Sequence, residues 1–433
     1  MMNDELMRDC KLAPFWWDDV PRPALPDEAL PERVDVAVVG AGYTGLHAAL
    51  QTARGGRSTL VLDAEEAGWG CSTRNGGQIS TSIKPSFELL TRRHGEKRAF
   101  EILREGQRSL AYIGEFVARE GIDCDFAQVG RFHAAHNPAQ YQALASRLAN
   151  QPKGLEVPAH MVPREQQRQE LGSDAYHGGV VYEAHCSVHP ARYHQGLLER
   201  VLQAGAQVAP RCAVTGIERQ RAGGFLLHTG RGKVLARDVV MATNGYTGAI
   251  TPWLRRRVIP IGSYMIATQP LPEGLMARVM PRNRIVSDTR KVVYYYRASP
   301  DRRRILFGGR VSHNETDPRI SGPKLHADLV KLFPELAGTG ISHSWMGFVA
   351  YTFDELMHVG CHEGMHYAMG YCGAGVGTAS YFGMRVGQQL LGLQEGRTAL
   401  DGLAFQTRPF YTGNPWFLAP SVRYFRWRDC RPV

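Results

Sequence analysis

The stretch VDVAVVGAGYTG, residues 34–45, decides the fold expected of this chain. Its first half is an apolar, largely β-branched run typical of a buried strand, and its second half places three glycines at the spacing GxGxxG. Residues 46–56 then show apolar side chains at helical spacing, and a second strand over 58–63 ends at Asp63. The order of strand, glycine-rich turn, helix, strand and acid predicts a βαβ unit that binds a dinucleotide.

Each glycine of this turn has its own physical reason. Gly40 permits the tight turn, Gly42 lets the backbone approach a pyrophosphate, and Gly45 allows the helix to pack closely on the strand. The start of the helix offers unpaired N–H groups and a partial positive charge to the phosphates. Asp63 is placed to accept hydrogen bonds from a ribose.

A polar, glycine-rich loop, GWGCSTRNGGQIS at 68–80, follows where a plain NAD domain would lead quickly into another helix. A long loop that leaves the carboxyl edge of a parallel sheet lies where a ligand binds. Its glycines can bring backbone N–H groups against a ligand, while Arg74, Asn75 and Gln78 supply side-chain donors. The loop therefore predicts a cofactor that extends beyond its adenosine half, which favours FAD over NAD.

The overall composition indicates a globular protein of two or three domains, because the chain has 433 residues, 43% of them hydrophobic and 21% charged. No apolar run in the sequence is long enough to span a membrane, and the start MMNDELMRDC lacks the features of a secretory signal. We therefore expect a cytoplasmic protein. The eight cysteines are scattered without a CxxC pair, so neither a zinc ribbon nor a disulfide framework is indicated.

The net charge of +10 raises the alternative of nucleic-acid binding. The arginines are dispersed along the chain, however, and no nucleic-acid recognition motif accompanies them. We expect no nucleic-acid partner. An anionic substrate, or an anionic membrane surface as the less favoured alternative, remains compatible with the charge.

The turn GAGYTG, Asp63 and the loop GWGCSTRNGGQ together resemble the FAD-dependent amine oxidases of the D-amino-acid-oxidase superfamily, and most closely its γ-glutamylputrescine oxidase type. Three later segments, 238–248, 258–271 and 370–392, extend the resemblance over nearly the whole chain. The resemblance implies an α/β fold, in which a Rossmann-like FAD-binding domain carries an inserted α+β substrate domain built on an antiparallel sheet. The implied division is an N-terminal leader (1–30), a discontinuous FAD-binding domain (31–85, 190–249 and 346–400), a substrate domain (86–189 and 250–345) and a C-terminal tail (401–433).

The predicted cofactor contacts come from the two glycine-rich turns, the loop and the segment that ends at the pair Thr243 and Asn244. The resemblance places the second turn, within GYCGAGVGTAS, against the pyrimidine edge of the flavin, where a helix N-terminus stabilises negative charge. The contacts expected are Gly40, Gly42, Tyr43, Thr44, Gly45, Asp63, Ala64, Gly70, Ser72, Arg74, Asn75, Gly76, Gly77, Gln78, Thr243, Asn244, Gly373, Gly375, Val376, Gly377 and Thr378.

Aromatic side chains are the candidates for the catalytic pocket, because the chemistry needs an apolar site that orients a neutral amine beside the flavin. Tyr294 and Tyr296 share one face of a predicted strand, and Tyr295 takes the other. We predict that Tyr264, Tyr294, Tyr296 and Trp345 contribute to the pocket. The alternative, that these aromatics only pack the sheet, stays open.

Two differences from the related sarcosine oxidases limit what the resemblance implies. Those enzymes attach FAD to a cysteine, whereas Gly347 stands near the corresponding position, so we predict non-covalent FAD. They also hold a substrate carboxylate with a lysine after the second turn, whereas this chain has Gly377 and Thr378 there. An amine, or an acid whose carboxylate lies far from the nitrogen, is therefore favoured over a simple α-amino acid.

Two histidine-rich segments, 358–366 and 185–190, raise the alternative of a metal site. The first contains the predicted turn of a hairpin, which would point its side chains to opposite faces, and we predict no metal. Cys71 stands in the loop where the relatives usually carry alanine. We interpret it as an inert small residue, with a redox thiol as the alternative.

The leading hypothesis is an FAD-dependent oxidoreductase that oxidises the C–N bond of an amine by hydride transfer and gives an imine, then an aldehyde. The best candidate substrate is γ-glutamylputrescine or a related N-acylated polyamine, with oxygen reduced to hydrogen peroxide or another acceptor reduced in its place. A first alternative is an oxidase of a secondary or N-methylated amino acid, whose carboxylate Arg74, Arg297 or Arg310 would hold. Others are a flavin dehydrogenase that reduces a membrane quinone, with the basic tail 423–433 on the membrane surface, and a non-catalytic flavoprotein.

Overall fold

The computed structural model describes residues 5–310 and 317–429. The remaining positions of the predicted leader, substrate domain and tail, residues 1–4, 311–316 and 430–433, lie outside the described residues. Along the described chain, no helix has both the length and the apolar character needed to cross a membrane.

Helices and strands alternate along most of the chain. The α-helices are α1 (Trp16–Asp19), α2 (Tyr43–Arg54), α3 (Phe87–His94), α4 (Glu96–Glu120), α5 (Pro138–Ala149), α6 (Pro190–Gln203), α7 (Pro252–Arg255), α8 (Glu273–Val279), α9 (Pro318–Leu332), α10 (Gly375–Leu390) and α11 (Leu418–Asp429). The strands are β1 (Arg33–Val39), β2 (Thr59–Leu62), β3 (Gln78–Ile79), β4 (Arg131–Ala134), β5 (Ala159–Val162), β6 (Gly179–Tyr182), β7 (Cys186–Ser187), β8 (Gln207–Ala209), β9 (Val214–Arg219), β10 (Phe225–Thr229), β11 (Gly232–Met241), β12 (Ile259–Thr268), β13 (Ile285–Asp288), β14 (Tyr295–Ala298), β15 (Ile305–Gly309), β16 (Ile341–Tyr351), β17 (His358–His362) and β18 (Met365–Met369). The strands form two large sheets and one short pair, β3 with β7.

The first sheet contains the predicted βαβ unit and has the order β17-β18-β11-β1-β2-β8. The pairings from β18 across to β8 are parallel, while β17 is an antiparallel edge and β9 and β10 extend β11 as an antiparallel meander. Strand β1 is covered on both faces, because Val36 and Val38 belong to one hydrophobic cluster and Ala37 and Val39 to another. This burial explains why its sequence is a continuous apolar run instead of an alternating one.

Helices α2, α4, α6 and α10 cover one face of the first sheet and share one hydrophobic cluster. Helix α4 contributes Ile102, Ile113 and Phe116, all fully buried, to this cluster. The structure therefore packs α4 with the first sheet, whereas the predicted division assigned residues 86–189 to the substrate domain. The reason is the apolar stripe of α4, which is covered by the helices of the first sheet.

The second sheet has the order β16-β12-β15-β14-β13-β4-β6-β5. Its pairings are antiparallel apart from that of β13 with β4, which is parallel. Helices α8 and α9 pack over one face, where Met276 and Leu325 join the second core. The fold is thus a Rossmann-like domain with a second domain built on a largely antiparallel sheet.

Strand β16 crosses a predicted domain boundary. It pairs with β12 along its whole length, from Tyr351 opposite Ile259 to Ile341 opposite Thr268. The predicted boundary between residues 345 and 346 falls inside this strand, so residues 346–351 pair in the second sheet. Otherwise the division into segments stays a prediction.

Helices α2 and α10 approach each other so closely that glycine is needed at their contact. A Cβ on Gly383 would overlap the carbonyl oxygen of Thr44, and a Cβ on Gly387 would lie 2.9 Å from the carbonyl oxygen of Ala48. The two glycines lie four residues apart, on one face of α10. This contact brings the N-termini of both helices to the same edge of the first sheet.

We expect Gly383→Ala to lower the free energy of unfolding by roughly 1–3 kcal/mol, because the added methyl group forces α2 and α10 apart. A urea titration monitored by circular dichroism measures this change in the free energy of unfolding. Gly274→Ala is the matched control, since Gly274 is exposed in the first turn of α8 and nothing lies near its Cβ position. Equal stability of the two variants would contradict the packing argument.

Candidate active site

A cavity of about 1050 Å³ lies between the two sheets. The first sheet lines it with residues at the carboxyl ends of β1, β2 and β11, which is where open parallel sheets bind ligands. The second sheet lines it with residues of β4, β12, β13, β14 and β16. The volume lies at the upper end of the ~300–1,000 Å³ range of ligand sites, so an extended cofactor and a second small molecule have room.

The turn after β1 forms one end of the cavity. Gly40 has φ of 110°, and a Cβ there would lie 2.9 Å from the carbonyl oxygen of Ala242. Gly42 precedes the first residue of α2, and the Tyr43 N–H donates to Oγ of Ser72 at 3.0 Å. Backbone and a small hydroxyl therefore line this end, as close approach of a phosphate requires.

Asp63 is bound to this turn by backbone hydrogen bonds. Its Oδ2 accepts from the Ala41 N–H at 2.6 Å, and its Oδ1 accepts from the Glu65 N–H at 3.0 Å. Burial raises the pKa of Asp63 to about 6, although both hydrogen bonds act in the opposite direction. Asp63 and Ala64 line the cavity, so this carboxylate is held in place to accept hydrogen bonds from a ligand.

The loop 68–80 is braced by its own polar side chains. Asn75 donates to the carbonyl oxygens of Cys71 and Ser72 and accepts from the Gly77 N–H at 2.8 Å. Arg74 donates to the carbonyl oxygens of Trp69 at 2.7 Å and Met346 at 3.2 Å. Arg74 and Asn75 both line the cavity. Their N–H groups named here donate to protein carbonyl oxygens, whereas the sequence predicted that they donate to the cofactor.

Gln78 and Gly77 connect the loop to its surroundings. The Gln78 amide donates to the carbonyl oxygens of Val286 and Tyr296, at 3.3 and 3.1 Å, and so ties the loop to β13 and β14. Gly77 has φ of 65°, and a Cβ there would overlap the carbonyl oxygen of Val188. Gln78 lines the cavity and Gly77 does not.

The third part of the cavity wall comes from the ends of β11 and β18. Asn244 Oδ1 accepts from the Gly370 N–H at 2.9 Å and so joins the two strand ends. Thr243 and Asn244 both line the cavity. The second glycine-rich turn follows Gly370, with Gly373 at φ of 90°, and α10 begins at Gly375.

The structure brings most of the predicted cofactor contacts together. Those outside the cavity have packing roles: a Cβ on Gly45 would overlap the carbonyl oxygen of Gly40, and Gly377 lies against Ile79 and Ser109. Thr378 of α10 donates to the carbonyl oxygen of Ala374, the residue before this helix, at 2.7 Å. The predicted contacts that line the cavity are Gly40, Gly42, Tyr43, Thr44, Asp63, Ala64, Gly70, Ser72, Arg74, Asn75, Gly76, Gln78, Thr243, Asn244, Gly373, Gly375 and Val376.

The four predicted catalytic aromatics lie away from the cavity. Tyr264 and Tyr296 are fully buried in the core on the other face of the second sheet, and Tyr294 packs against that core. Trp345 lies behind the loop, where its Nε1 donates to the Arg74 carbonyl oxygen at 2.9 Å. The structure thus corrects the sequence-based choice of side chains, because alternation along a strand does not say which face meets the cavity.

Tyr295, on the opposite face of β14, is the tyrosine of this segment that lines the cavity. Its hydroxyl is 2.8 Å from Oγ of Ser263, and burial raises its pKa, so the phenol stays protonated. A Cβ on Gly76 would lie 3.2 Å from the Tyr295 ring, which places this ring against the loop. Tyr295 and Ser263 therefore offer neutral hydroxyls beside the loop.

Other residues of this wall were missed by the sequence reasoning. Arg131 and His133 of β4 line the cavity, as does Ser287 of β13. His133 Nδ1 lies 2.9 Å from Ser287 Oγ, and burial holds the pKa of His133 well below its usual range. The signal was the segment RFHA, where polar residues alternate with the buried Phe132 and Ala134.

The arginines predicted to hold an amino-acid carboxylate have protein partners. Arg297 is buried and donates to the carbonyl oxygens of Gly77, Val188 and Ala298. Arg310 donates to the Gly262 carbonyl oxygen at 2.7 Å. Neither lines the cavity. The guanidinium carbon of Arg74 lies over the rings of Trp17 and Trp69, at 4.7 and 4.3 Å from their centroids.

The histidine-rich segments and Cys71 have ordinary surroundings. Within the described residues, no group of three or more histidine, cysteine or acidic side chains is arranged to hold a metal. His358 lies 3.1 Å from Asp354, and His362 stacks on Trp253. Burial raises the pKa of the Cys71 thiol to about 11, so it stays protonated, as its interpretation as an inert residue requires.

Comparisons with known proteins agree with this arrangement. The family model described as DAO, FAD dependent oxidoreductase, matches residues 35–389. Gamma-glutamylputrescine oxidoreductase of Escherichia coli (strain K12) is 31% identical over 404 residues, which cover 91% of this chain and 92% of that protein.

Solved structures show the same fold at lower identity. Glycine oxidase from Geobacillus kaustophilus superposes with a TM-score of 0.72 at 18% identity, over 88% of this chain and 99% of that one. L-Proline dehydrogenase from P. horikoshii gives a TM-score of 0.70 at 18% identity, over 90% and 99% of the two chains. These two structures share the fold of this chain over most of its length. The chain therefore belongs to the DAO family of FAD-dependent oxidoreductases.

Proposed function

We propose that the protein oxidises the C–N bond of an amine that carries an N-acyl group, with γ-glutamylputrescine or a related N-acylated polyamine as the substrate. Oxygen is the proposed acceptor, with hydrogen peroxide as its product, and the cytoplasm remains the proposed compartment. The observation that carries the proposal is the composition of the substrate-side wall, where neutral hydroxyls face one cavity together with Lys84 and Arg131, neither of which forms an ion pair with a described residue.

The residues at the first-sheet end suit FAD. The Gly40 and Gly42 backbone, with the N-terminus of α2, would hold the pyrophosphate, and Asp63 would hold a ribose. The loop and the second turn would hold the ring system. When bound, FAD supplies the hydride acceptor.

The cations of the cavity favour the form of an amine that reacts. A hydride leaves the carbon beside a neutral nitrogen more readily than one beside an ammonium. Lys84 lines the cavity with its Nζ 5.7 Å from the Tyr351 ring centroid, and the Tyr351 phenol raises the pKa of this ammonium. Like-charge repulsion from Lys84 lowers the pKa of a bound substrate ammonium.

The choice of substrate rests on two observations. One relative, 31% identical over most of both chains, is named for γ-glutamylputrescine. In addition, of the three arginines predicted to hold the carboxylate of a simple amino acid, Arg297 and Arg310 lie outside the cavity, and Arg74, which lines it, donates to backbone carbonyl oxygens. The cavity therefore favours an amine whose acid group, if present, is distant from the nitrogen.

The first prediction concerns the cofactor. We expect Asp63→Ala to weaken FAD binding about 10- to 100-fold, because hydrogen bonds to a charged group contribute roughly 1.5–3 kcal/mol. Ultrafiltration of the reconstituted protein, with free FAD measured by fluorescence, gives the dissociation constant. Asp35→Ala is the matched control, since Asp35 also accepts a backbone N–H, from Ser58 at 2.9 Å, but lies outside the cavity. An equal loss in both variants would contradict the assignment.

The second prediction concerns pH. The buried Asp63 has a pKa raised to about 6, and a ribose hydroxyl donates best to the ionised carboxylate. Binding of FAD should therefore weaken as the pH falls through 6 and level off above it. Titrating the apoprotein with FAD between pH 5 and 8 measures this, with Asp63→Asn as the variant that loses the dependence. The opposite slope, stronger binding at low pH, would exclude the role given to Asp63.

The third prediction concerns the reaction. Mixing the holoenzyme anaerobically with γ-glutamylputrescine should bleach the flavin absorption band, whereas sarcosine should bleach it much more slowly. Admitted oxygen should restore the colour within seconds, with one hydrogen peroxide formed per amine oxidised. If no N-acylated polyamine bleached the flavin, the proposal would be wrong. Recovery of the flavin colour only over hours would favour the quinone-linked dehydrogenase.

Acid precipitation of the holoenzyme should leave the flavin in the supernatant, as non-covalent FAD requires.

A further inference from the structure

The substrate-side wall carries a guanidinium that no acid of the described chain neutralises. Arg131 begins β4 and lines the cavity, where its Nη1 donates weakly to Ser82 Oγ at 3.3 Å. Its guanidinium carbon lies 5.2 Å from the Tyr182 ring centroid. The Nε of Arg131 is buried and has no hydrogen-bond partner among the described residues.

Two neighbouring arginines of the second sheet have acidic partners, and the buried Arg297 donates to three backbone carbonyl oxygens. Arg284, one residue before β13, forms ion pairs with Glu170 and Glu183. Arg290, which also lines the cavity, is paired with Asp288. A buried cation without an anion is costly, since desolvation is not offset by a Coulombic partner. Arg131 therefore has the environment expected of a residue whose anion arrives with a ligand.

The groups in contact with Arg131, the Ser82 hydroxyl and the Tyr182 ring, are neutral. His133, two residues along the same face, stays neutral because burial and the nearby Arg131 lower its pKa. Ser82 and Ser287 also line this part of the cavity and offer hydroxyls. Arg147 and Lys291 are exposed residues of the cavity lining, so they attract an anion from solvent. The acid at this end, Asp288, already has Arg290 as its partner.

We propose that Arg131 binds a carboxylate of the substrate that is distant from the oxidised amine. This inference deepens the proposed function and rests on it for the identity of the reacting group. The substrate class is then an amino acid derivative in which the amine and the carboxylate lie at opposite ends of an extended chain. Arg131 is a specificity-determining residue in this assignment.

The topology sets the length of that chain. Tyr295 lies against the loop on β14, and Arg131 lies on β4, with β13 between them. The strands β14 and β4 are therefore two strand spacings of ~4.8 Å apart, which is about 10 Å across the sheet. With the amine beside Tyr295, as this assignment requires, a simple α-amino acid is too short to reach Arg131, whereas an N-acylated diamine with a terminal carboxylate reaches it.

Two other roles for Arg131 are less well supported. The pyrophosphate of the cofactor has its glycine-rich turn on the first sheet, so Arg131 on the second sheet is not required there. A purely structural role would need stabilising partners, but the contacts of Arg131 with the described residues are one long hydrogen bond and one ring contact. Removal of the charge should therefore not destabilise the protein.

The test uses the holoenzyme as wild type, Arg131→Gln, Arg131→Lys and the control Arg278→Gln, which removes an exposed arginine of α8 outside the cavity. Anaerobic reduction rates are measured with γ-glutamylputrescine and with N-acetylputrescine, which lacks the carboxylate. Independently of turnover, glutarate and its uncharged analogue glutaramide are titrated while the flavin spectrum and binding heat are recorded. Melting temperatures are measured for all four proteins.

We expect Arg131→Gln to lower kcat/KM for γ-glutamylputrescine about 10- to 100-fold and for N-acetylputrescine by less than about threefold. Glutarate affinity should fall by a similar factor, glutaramide should bind equally weakly throughout, and Arg131→Lys should be intermediate. Arg278→Gln should match the wild type. The melting temperature of Arg131→Gln should equal or exceed that of the wild type.

Several outcomes would overturn the inference. Three of them concern Arg131→Gln: an equal loss of kcat/KM on both amines, unchanged glutarate affinity, or a melting temperature well below that of the wild type. The fourth is a wild-type enzyme that does not bind glutarate. If Arg131→Gln gave no folded protein, glutarate titration of Arg131→Lys would decide, since a lysine is expected to bind more weakly there. If neither amine reduced the wild-type flavin, the proposed function would fail, while the glutarate titration would still decide on Arg131.

Discussion

The turn between β1 and α2 exists because position 45 carries no side chain. A Cβ on Gly45 would overlap the carbonyl oxygen of Gly40, and one on Gly383 would overlap that of Thr44. A strand and two helices therefore meet around the start of α2 at distances that glycine alone allows. This close packing brings Asp63 and the N-termini of α2 and α10 to one edge of the first sheet, where the cavity begins.

The loop 68–80 joins the two sheets and is held from several directions. Trp16 of α1 donates to the Asn75 carbonyl oxygen, Trp345 of β16 donates to that of Arg74, and Gln78 donates to carbonyl oxygens of β13 and β14. Of these three donors, Gln78 is the one that the sequence offered as a ligand donor. The loop is consequently a rigid wall of the cavity, whose lining includes glycine backbone and the Ser72 hydroxyl.

Charge is distributed unevenly along the cavity. The first-sheet end offers backbone N–H groups and one fixed carboxylate, while the second-sheet end offers hydroxyls, a neutral histidine and the cations Lys84 and Arg131. The first arrangement suits a dinucleotide, and the second favours a neutral amine and an anionic substrate group. Part of the positive charge of this chain, whose net charge is +10, thus lies at the cavity, although most of the arginines are spread over the chain.

The sequence by itself determined the βαβ unit, the glycine positions, FAD and the family, because each depends on residues close together in the chain. It also located most of the cavity-lining residues of the first sheet, since parallel strands end at a common edge. The packing of α4, the continuity of β16 and the choice of Tyr295 over Tyr294 and Tyr296 were decided only by the tertiary structure. Alternation shows which residues of a strand share a face, but which face borders the cavity depends on contacts with distant segments. Arg131 is the clearest case, because the lack of an acidic partner among the described residues is visible only when the neighbouring acids have been located.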